Sequence, residues 1–212
     1  MTLRKLLPCS GVVLVALIAL SVVLGGSTPG STADGAEVAS YFDSHQARMS
    51  IVSFVFGLAA LASVLFAATL ARSLRPADDG TSVWDRVLVG GGVMFASSLG
   101  FVGAATFALA DSPKKVSGSA LQALNLLLND SWVFWNAALG VFMLGAAGAC
   151  LTSAAAYRWF GRIAIILGVA LFIPFADFFA LLASGLWIIA ITVVLARRDA
   201  TPANRAAAEA AA

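Results

Sequence analysis

Residues 49–71 read MSIVSFVFGLAALASVLFAATLA, an apolar run without a charged side chain, closed by Arg48 before it and Arg72 after it. About 20 such residues carry a helix across the roughly 30 Å of hydrocarbon in a bilayer. In that medium a lone segment satisfies its backbone polar groups only as a helix. Three further stretches have the same character, at about 8–26, 87–110 and 132–156. The composition agrees: 60% of the 212 residues are hydrophobic and 11% are charged, against about 25% charged in ordinary globular domains. A soluble chain of this length has no core large enough to hide so much apolar surface. The solvent of this fold is therefore lipid.

A fifth apolar stretch, about 160–196, is too long for one crossing. Some 36 residues at 1.5 Å each would span about 54 Å, more than tilt absorbs. Within it lies LFIPFADFFALLASG, Leu171–Gly185. Pro174 removes a backbone donor and clashes with the preceding turn. Asp177, three residues later, is placed to cap a new helix. The pattern predicts a break near Phe172–Asp177, with spans at about 160–173 and 177–196. The expected fold is an all-α integral membrane protein, a bundle of six transmembrane helices, forming a single domain over 1–198. Residues 199–212 form a polar, alanine-rich cytoplasmic tail.

Charge supports six spans independently, because cytoplasmic loops carry an excess of Lys and Arg. With the N-terminus inside, six spans place Arg4, Lys5, Arg72, Arg75, Arg86, Arg158, Arg162, Arg197, Arg198 and Arg205 inside, ten in all, against Arg48, Lys114 and Lys115 outside. Five spans would give seven against six. Both termini are thus expected in the cytoplasm. Residues 1–33 also satisfy the pattern of a secretory signal, with a basic start, an apolar core and a small-residue STA site before Asp34. The run Leu6–Gly26 is long for a signal core, so it is read as a retained span. Either way the loop after it lies outside.

Two outer loops carry helices of their own. Asp34 followed by Glu37 resembles a capping box, which predicts a short helix over about 35–44. In SGSALQALNLLLNDSWVFW, Leu121, Leu124 and Leu128 recur at helical spacing beside Gln122 and Asn125. That predicts a short amphipathic helix lying on the outer membrane surface. Asn129, Asp130 or Ser131 would cap the following span, with Trp132 and Trp135 at headgroup level.

Lipid offers helices no hydrophobic reason to associate, so small residues must allow close packing. Gly92, Ala96, Gly100, Ala104 and Ala108 recur every four residues in the third span and predict one smooth packing face. Ala59, Ser63, Ala67 and Ala71 offer another in the second span; Asn136, Gly140 and Gly148 offer one in the fourth. Spans two, three and four are therefore expected near the bundle centre.

No charge lies in the middle third of any span, which disfavours a proton relay or an ion pump. No phosphate loop, HExxH or G-x-S-x-G motif occurs. Cys9 and Cys150 fit no metal or disulfide pattern. With one histidine, no bis-histidine haem site exists within the chain. Neither a catalytic residue, a metal nor a cofactor is expected, and a net charge of +2 gives no reason to expect nucleic acid. What remains is a polar set near the outer ends of the spans: His45, Asn125, Asp130, Asn136 and Asp177. Together they could bind a small polar ligand or move protons. Separately, Asp130 and Asp177 read as helix caps, Asn136 as an interhelical bond and His45 as an interfacial residue.

Three stretches together resemble a group of multi-pass membrane proteins common in actinobacteria. They are AEVASYFDSHQARMSIVSFVFGLAALASVLFAATLARSLR, LQALNLLLNDSWVFW, and RWFGRIAIILGVALFIPFADFFALLASGLWIIAITVVLARR. The resemblance implies a bacterial plasma-membrane location and a six-span layout, and brings no catalytic motif. The expected role is a non-enzymatic accessory or scaffold protein, whose partners are the bilayer and a membrane protein or a second copy of the chain. The alternatives are a binding or transport protein with an outer polar pocket, and a membrane enzyme acting on a lipid-borne substrate.

Overall fold

A computed structural model describes residues 9–75 and 82–199. Among these, every regular element is helical. The chain runs through α1 (Ser10–Gly25), α2 (Gly35–Ser44), α3 (Gln46–Leu74), α4 (Val83–Asp111), α5 (Gly118–Asp130), α6 (Trp132–Thr152), a 3-10 turn (Ala155–Tyr157), α7 (Arg158–Ala170) and α8 (Asp177–Asp199). The expected tail beyond residue 199, and Arg4, Lys5 and Arg205 of the charge count, lie outside the described residues.

Four helical segments are long and apolar enough to cross a membrane: Gln46–Leu74, Val83–Asp111, Gly118–Thr152 and Asp177–Arg198. The other two expected spans are shorter. The 16 residues of α1 extend about 24 Å and the 13 of α7 about 20 Å, both less than the hydrocarbon thickness. The break in the fifth apolar stretch does occur. α7 stops at Ala170 and α8 starts at Asp177. Between them Phe175 takes φ 71°, the left-handed region that turns the chain without a glycine.

Helix starts follow local chemistry. Asp34 is extended at φ −76° and ψ 167°, and its Oδ1 accepts from Ala36 N at 2.9 Å and Glu37 N at 2.8 Å. Ser82 and Asp85 form a reciprocal capping box at the start of α4. Ser131, by contrast, keeps near-helical dihedrals (φ −62°, ψ −15°) and makes no side-chain cap. α5 and α6 therefore follow one another almost without interruption.

α4 is the central helix, with α3 on one side and α6 on the other. Toward α6 the backbones nearly touch. A Cβ added at Gly91 would lie 2.6 Å from the Phe142 nitrogen, and one at Gly145 would lie 2.5 Å from the Leu88 nitrogen. Toward α3, Gly92 packs on Ala67, Ser63 Oγ donates to Gly92 O at 3.0 Å, and Ser53 Oγ donates to Gly103 O at 2.6 Å. Ala59, Ser63, Ala67 and Ala71 are all buried. The four-residue series of α4 does not stay on one face. Gly92 and Ala96 are buried, but Gly100 has open space around it and Ala104 is exposed. Four residues turn a helix by about 400°, so such a series drifts about 40° per step. After Ala96 the buried positions become Leu99, Gly103 and Thr106.

α6 meets α7 through a second glycine crossing: a Cβ on Gly140 or on Gly168 would lie 3.3 Å from the other's carbonyl oxygen. Trp187 of α8 donates its indole N–H to Phe160 O at 3.0 Å. α1 runs antiparallel to α8, since Gly11 abuts Thr192 while Gly185 approaches Val15. A separate small core sits at the end where α2 and α5 lie. It holds Val38, Phe42, Met49, Leu109 and Leu121, with Leu124 and Leu128 against it. The apolar stripe of α5 thus packs inward, onto α2 and the ends of α3 and α4, rather than onto the membrane surface. The physical reason is a neighbour with a matching stripe: α2 buries Val38 and Phe42.

Candidate functional site

Of the five nominated polar residues, the fold joins two directly. Asn136 lies about a turn into α6 and Asp177 is the first residue of α8. Asn136 Nδ2 donates to Asp177 Oδ2 at 2.9 Å, and Phe178 N donates to Asp177 Oδ1 at 2.9 Å. Asp177 does not occupy the cap position. Ala176 does, since its carbonyl already accepts from Ala180 N at 2.9 Å. The carboxylate is instead shared between its own helix start and the neighbouring helix.

The other three are placed elsewhere. His45 occupies the joint between α2 and α3. Its ring stacks on Tyr41 with centroids 4.5 Å apart, and Nδ1 lies 2.8 Å from Tyr41 O and 2.9 Å from Ser44 Oγ. A carbonyl oxygen only accepts, so Nδ1 is the donor in the contact with Tyr41 O. The Tyr41 hydroxyl accepts from Arg48 at 2.8 Å and donates to Gly25 O at 3.4 Å. This set ties the end of α1 to the α2–α3 joint. Asn125 is buried, and its amide donates to Gly30 O at 2.9 Å. Asn129 donates to Pro29 O at 3.2 Å and to Asn125 O at 2.9 Å. The two asparagines clamp the segment that leaves α1. Asp130 is exposed and borders a shallow recess with Phe101, Leu127 and Phe134. Among the described residues, no hydrogen bond or ion pair joins His45 to Asp130 or Asp177. Among the described residues, no group of three His, Cys, Asp or Glu is positioned to hold a metal.

The fold adds a feature that residue types did not suggest, a lateral apolar groove of about 390 Å³ between α1 and α8. Val15, Val22, Leu182 and Ile189 form its sides, and Phe95, Trp135 and Leu139 its floor. The two helices touch where Gly11 meets Thr192 and open away from that contact. Trp135 is not a surface anchor. Its ring meets Phe56 at 6.1 Å and Phe95 at 6.0 Å, and its buried Nε1 has no hydrogen-bond partner. The Asn136–Asp177 bond stands one turn from Leu139 and Leu181, at the open end of this groove. Among the described residues, Asp177 has no cationic partner. Tyr41 and Asn129 carry much of this geometry, yet Tyr41 did not stand out and Asn129 was read only as a candidate cap. Their partners are backbone carbonyls, which leave no mark on residue type.

Comparison of the chain with protein-family models, with curated proteins and with solved structures found no match.

Proposed function

We propose that the chain is a six-span protein of a bacterial plasma membrane, with both termini cytoplasmic, acting as a non-enzymatic accessory or scaffold through helix and lipid contacts. The observation that carries this reading is the use made of the outer polar residues. Asn125 and Asn129 hold a loop, His45 holds a helix joint, and Asn136 is bonded to Asp177. The groove between α1 and α8 is apolar, as a surface for a partner helix or an acyl chain must be. The resemblance to actinobacterial multi-pass proteins bears on the location and the six-span layout, and not on the role. A photo-crosslinking residue at Val22 or Leu182, beside the groove, tests it in living cells. The expected product is a discrete adduct with one membrane protein or a second copy of the chain, absent when the probe replaces the exposed Leu58. Lipid adducts alone at all three positions would remove the scaffold reading.

A second reading rests on Asp177. A carboxylate without a cation at the end of an apolar groove suits an amphiphile with a cationic head. Under that reading Asp177→Asn abolishes binding of a lipophilic ammonium dye while the protein level stays unchanged; retained binding removes it.

A further inference from the structure

The end of α3 and the start of α4 converge on a second recess, of about 430 Å³. Arg72, Arg75 and Arg86 border it together with Asp85, over a floor that includes Ala71 and Val89. Asp85 is held firmly. Its side chain is 6% exposed, and its Oδ2 accepts from Ser82 N and from Arg75 Nε, each at 3.2 Å. Arg75 is thereby oriented through one edge of its guanidinium, and its side chain remains 41% exposed. Arg72 and Arg86 are exposed and, among the described residues, make no side-chain hydrogen bond or ion pair. Among the described residues that line the recess, three cations stand against one carboxylate.

Orientation in the membrane calls for basic residues on the inner side. It does not call for three of them around one cavity, where, among the described residues, Asp85 pairs with Arg75 alone. Guanidinium forks match phosphate oxygens in a bidentate way. The depth also fits. α3 and α4 each have 29 residues, about 43 Å, so their ends pass beyond the roughly 30 Å of hydrocarbon into the headgroup layer. We propose that this recess binds the phosphate of an anionic glycerophospholipid. The phosphate oxygens lie between Arg72, Arg75 and Arg86, and the glycerol end of the acyl chains rests on Ala71 and Val89. The proposal rests on the membrane reading above but uses no groove residue, so crosslinking at Val22 and lipid binding here succeed or fail separately.

The recognised chemistry is a phosphate ester, which a lipid or a soluble metabolite could supply, and the experiment separates the two. The full chain, delipidated in mild detergent, is titrated by native mass spectrometry with phosphatidylglycerol, phosphatidylcholine, or soluble glycerol 3-phosphate. Phosphatidylglycerol is expected to bind at least tenfold more tightly than the other two. The double variant Arg72→Gln/Arg86→Gln is expected to lose about thirtyfold toward phosphatidylglycerol, from two basic contacts of ordinary strength. The control Arg158→Gln/Arg162→Gln, on α7, is expected to keep its affinity. Equal binding of the two lipids, or wild-type affinity in the Arg72/Arg86 variant, overturns the proposal. Glycerol 3-phosphate binding as tightly as the lipid also overturns it, in favour of a soluble phosphate ester. If the glutamine variant does not fold, Arg72→Lys/Arg86→Lys keeps the charge and removes the fork. A several-fold loss toward phosphatidylglycerol supports the arginine geometry, and unchanged affinity refutes it.

Discussion

Asn136 and Asp177 show what a polar contact is worth at a membrane boundary. The bond between them is charge-assisted, which raises its strength, but Asp177 is partly exposed and its carboxylate is also served by Phe178 N. Measured interhelical bonds of this type average about 0.6 kcal/mol and rarely exceed about 2 kcal/mol. A double-mutant cycle with Asn136→Ala, Asp177→Ala and both, unfolded in mixed micelles, should give a coupling of about 0.5–2 kcal/mol. Strictly additive single effects would mean that the two side chains do not interact. Asn125 acts differently, because its partner is a loop carbonyl and not another helix. Asn125→Ala should raise protease cleavage in the 26–34 segment about tenfold, the equivalent of one lost buried hydrogen bond of about 1.4 kcal/mol. Global unfolding should hardly change, since the helices of the main core make no use of that bond. A large drop in global stability with unchanged cleavage would show that Asn125 supports the bundle itself.

At the scale of the elements, glycines matter where backbones touch and nowhere else. A Cβ on Gly145 would lie only 2.5 Å from the Leu88 nitrogen, whereas one on Gly100 has nothing within 4 Å. Gly145→Ala should therefore destabilise the α4–α6 pair by about 1–3 kcal/mol, as overpacking does, and Gly100→Ala should change stability by less than about 0.5 kcal/mol. Similar losses for the two would mean that α4 and α6 are not in contact at that crossing. The α7–α8 turn offers a gain. Phe175 holds φ 71° with its ring 92% exposed, and a bulky residue in that region costs about 1–2 kcal/mol. Phe175→Gly should raise the unfolding midpoint, the relieved strain exceeding the added freedom of the unfolded chain; a lowered midpoint would show that the ring anchors the turn in lipid. This turn and α2 were legible beforehand because their signals are local: Pro174 interrupts a run that is too long, and Asp34 precedes Glu37. The face of α5 was not. Periodicity told that one side of it is apolar but not that α2 would cover that side. The small-residue series of α4 misled for a related reason, since spacing by four is near helical without being helical. The Asn136–Asp177 bond left only a faint trace, one polar residue about a turn inside one span and another at the start of the last.

The whole molecule turns on whether its two short helices cross the bilayer. α1 and α7 reach about 24 Å and 20 Å, and both touch α8. Mismatch of this size is met by local thinning at fractions of a kcal/mol per ångström, provided that the backbone beyond each helix end is satisfied. At α1 that condition is met by protein. Gly25 O accepts from Tyr41, and Pro29 O and Gly30 O accept from Asn129 and Asn125. At α7 the turn bonds within itself, Phe172 N to Val169 O and Ile173 N to Ala170 O among others. Both short helices can therefore end inside the depth that a full-length helix would cover. If both cross, the segment between α4 and α5 faces outside, and the end of α8 lies inside with Arg197 and Arg198. A periplasm-active reporter placed between Asp111 and Gly118 should be active, and the same reporter fused after Arg198 should be silent. Activity at the second position would mean that α7 folds back without crossing. The chain would then have five spans, with seven basic residues inside against six outside, and the charge bias that orients six would be nearly lost.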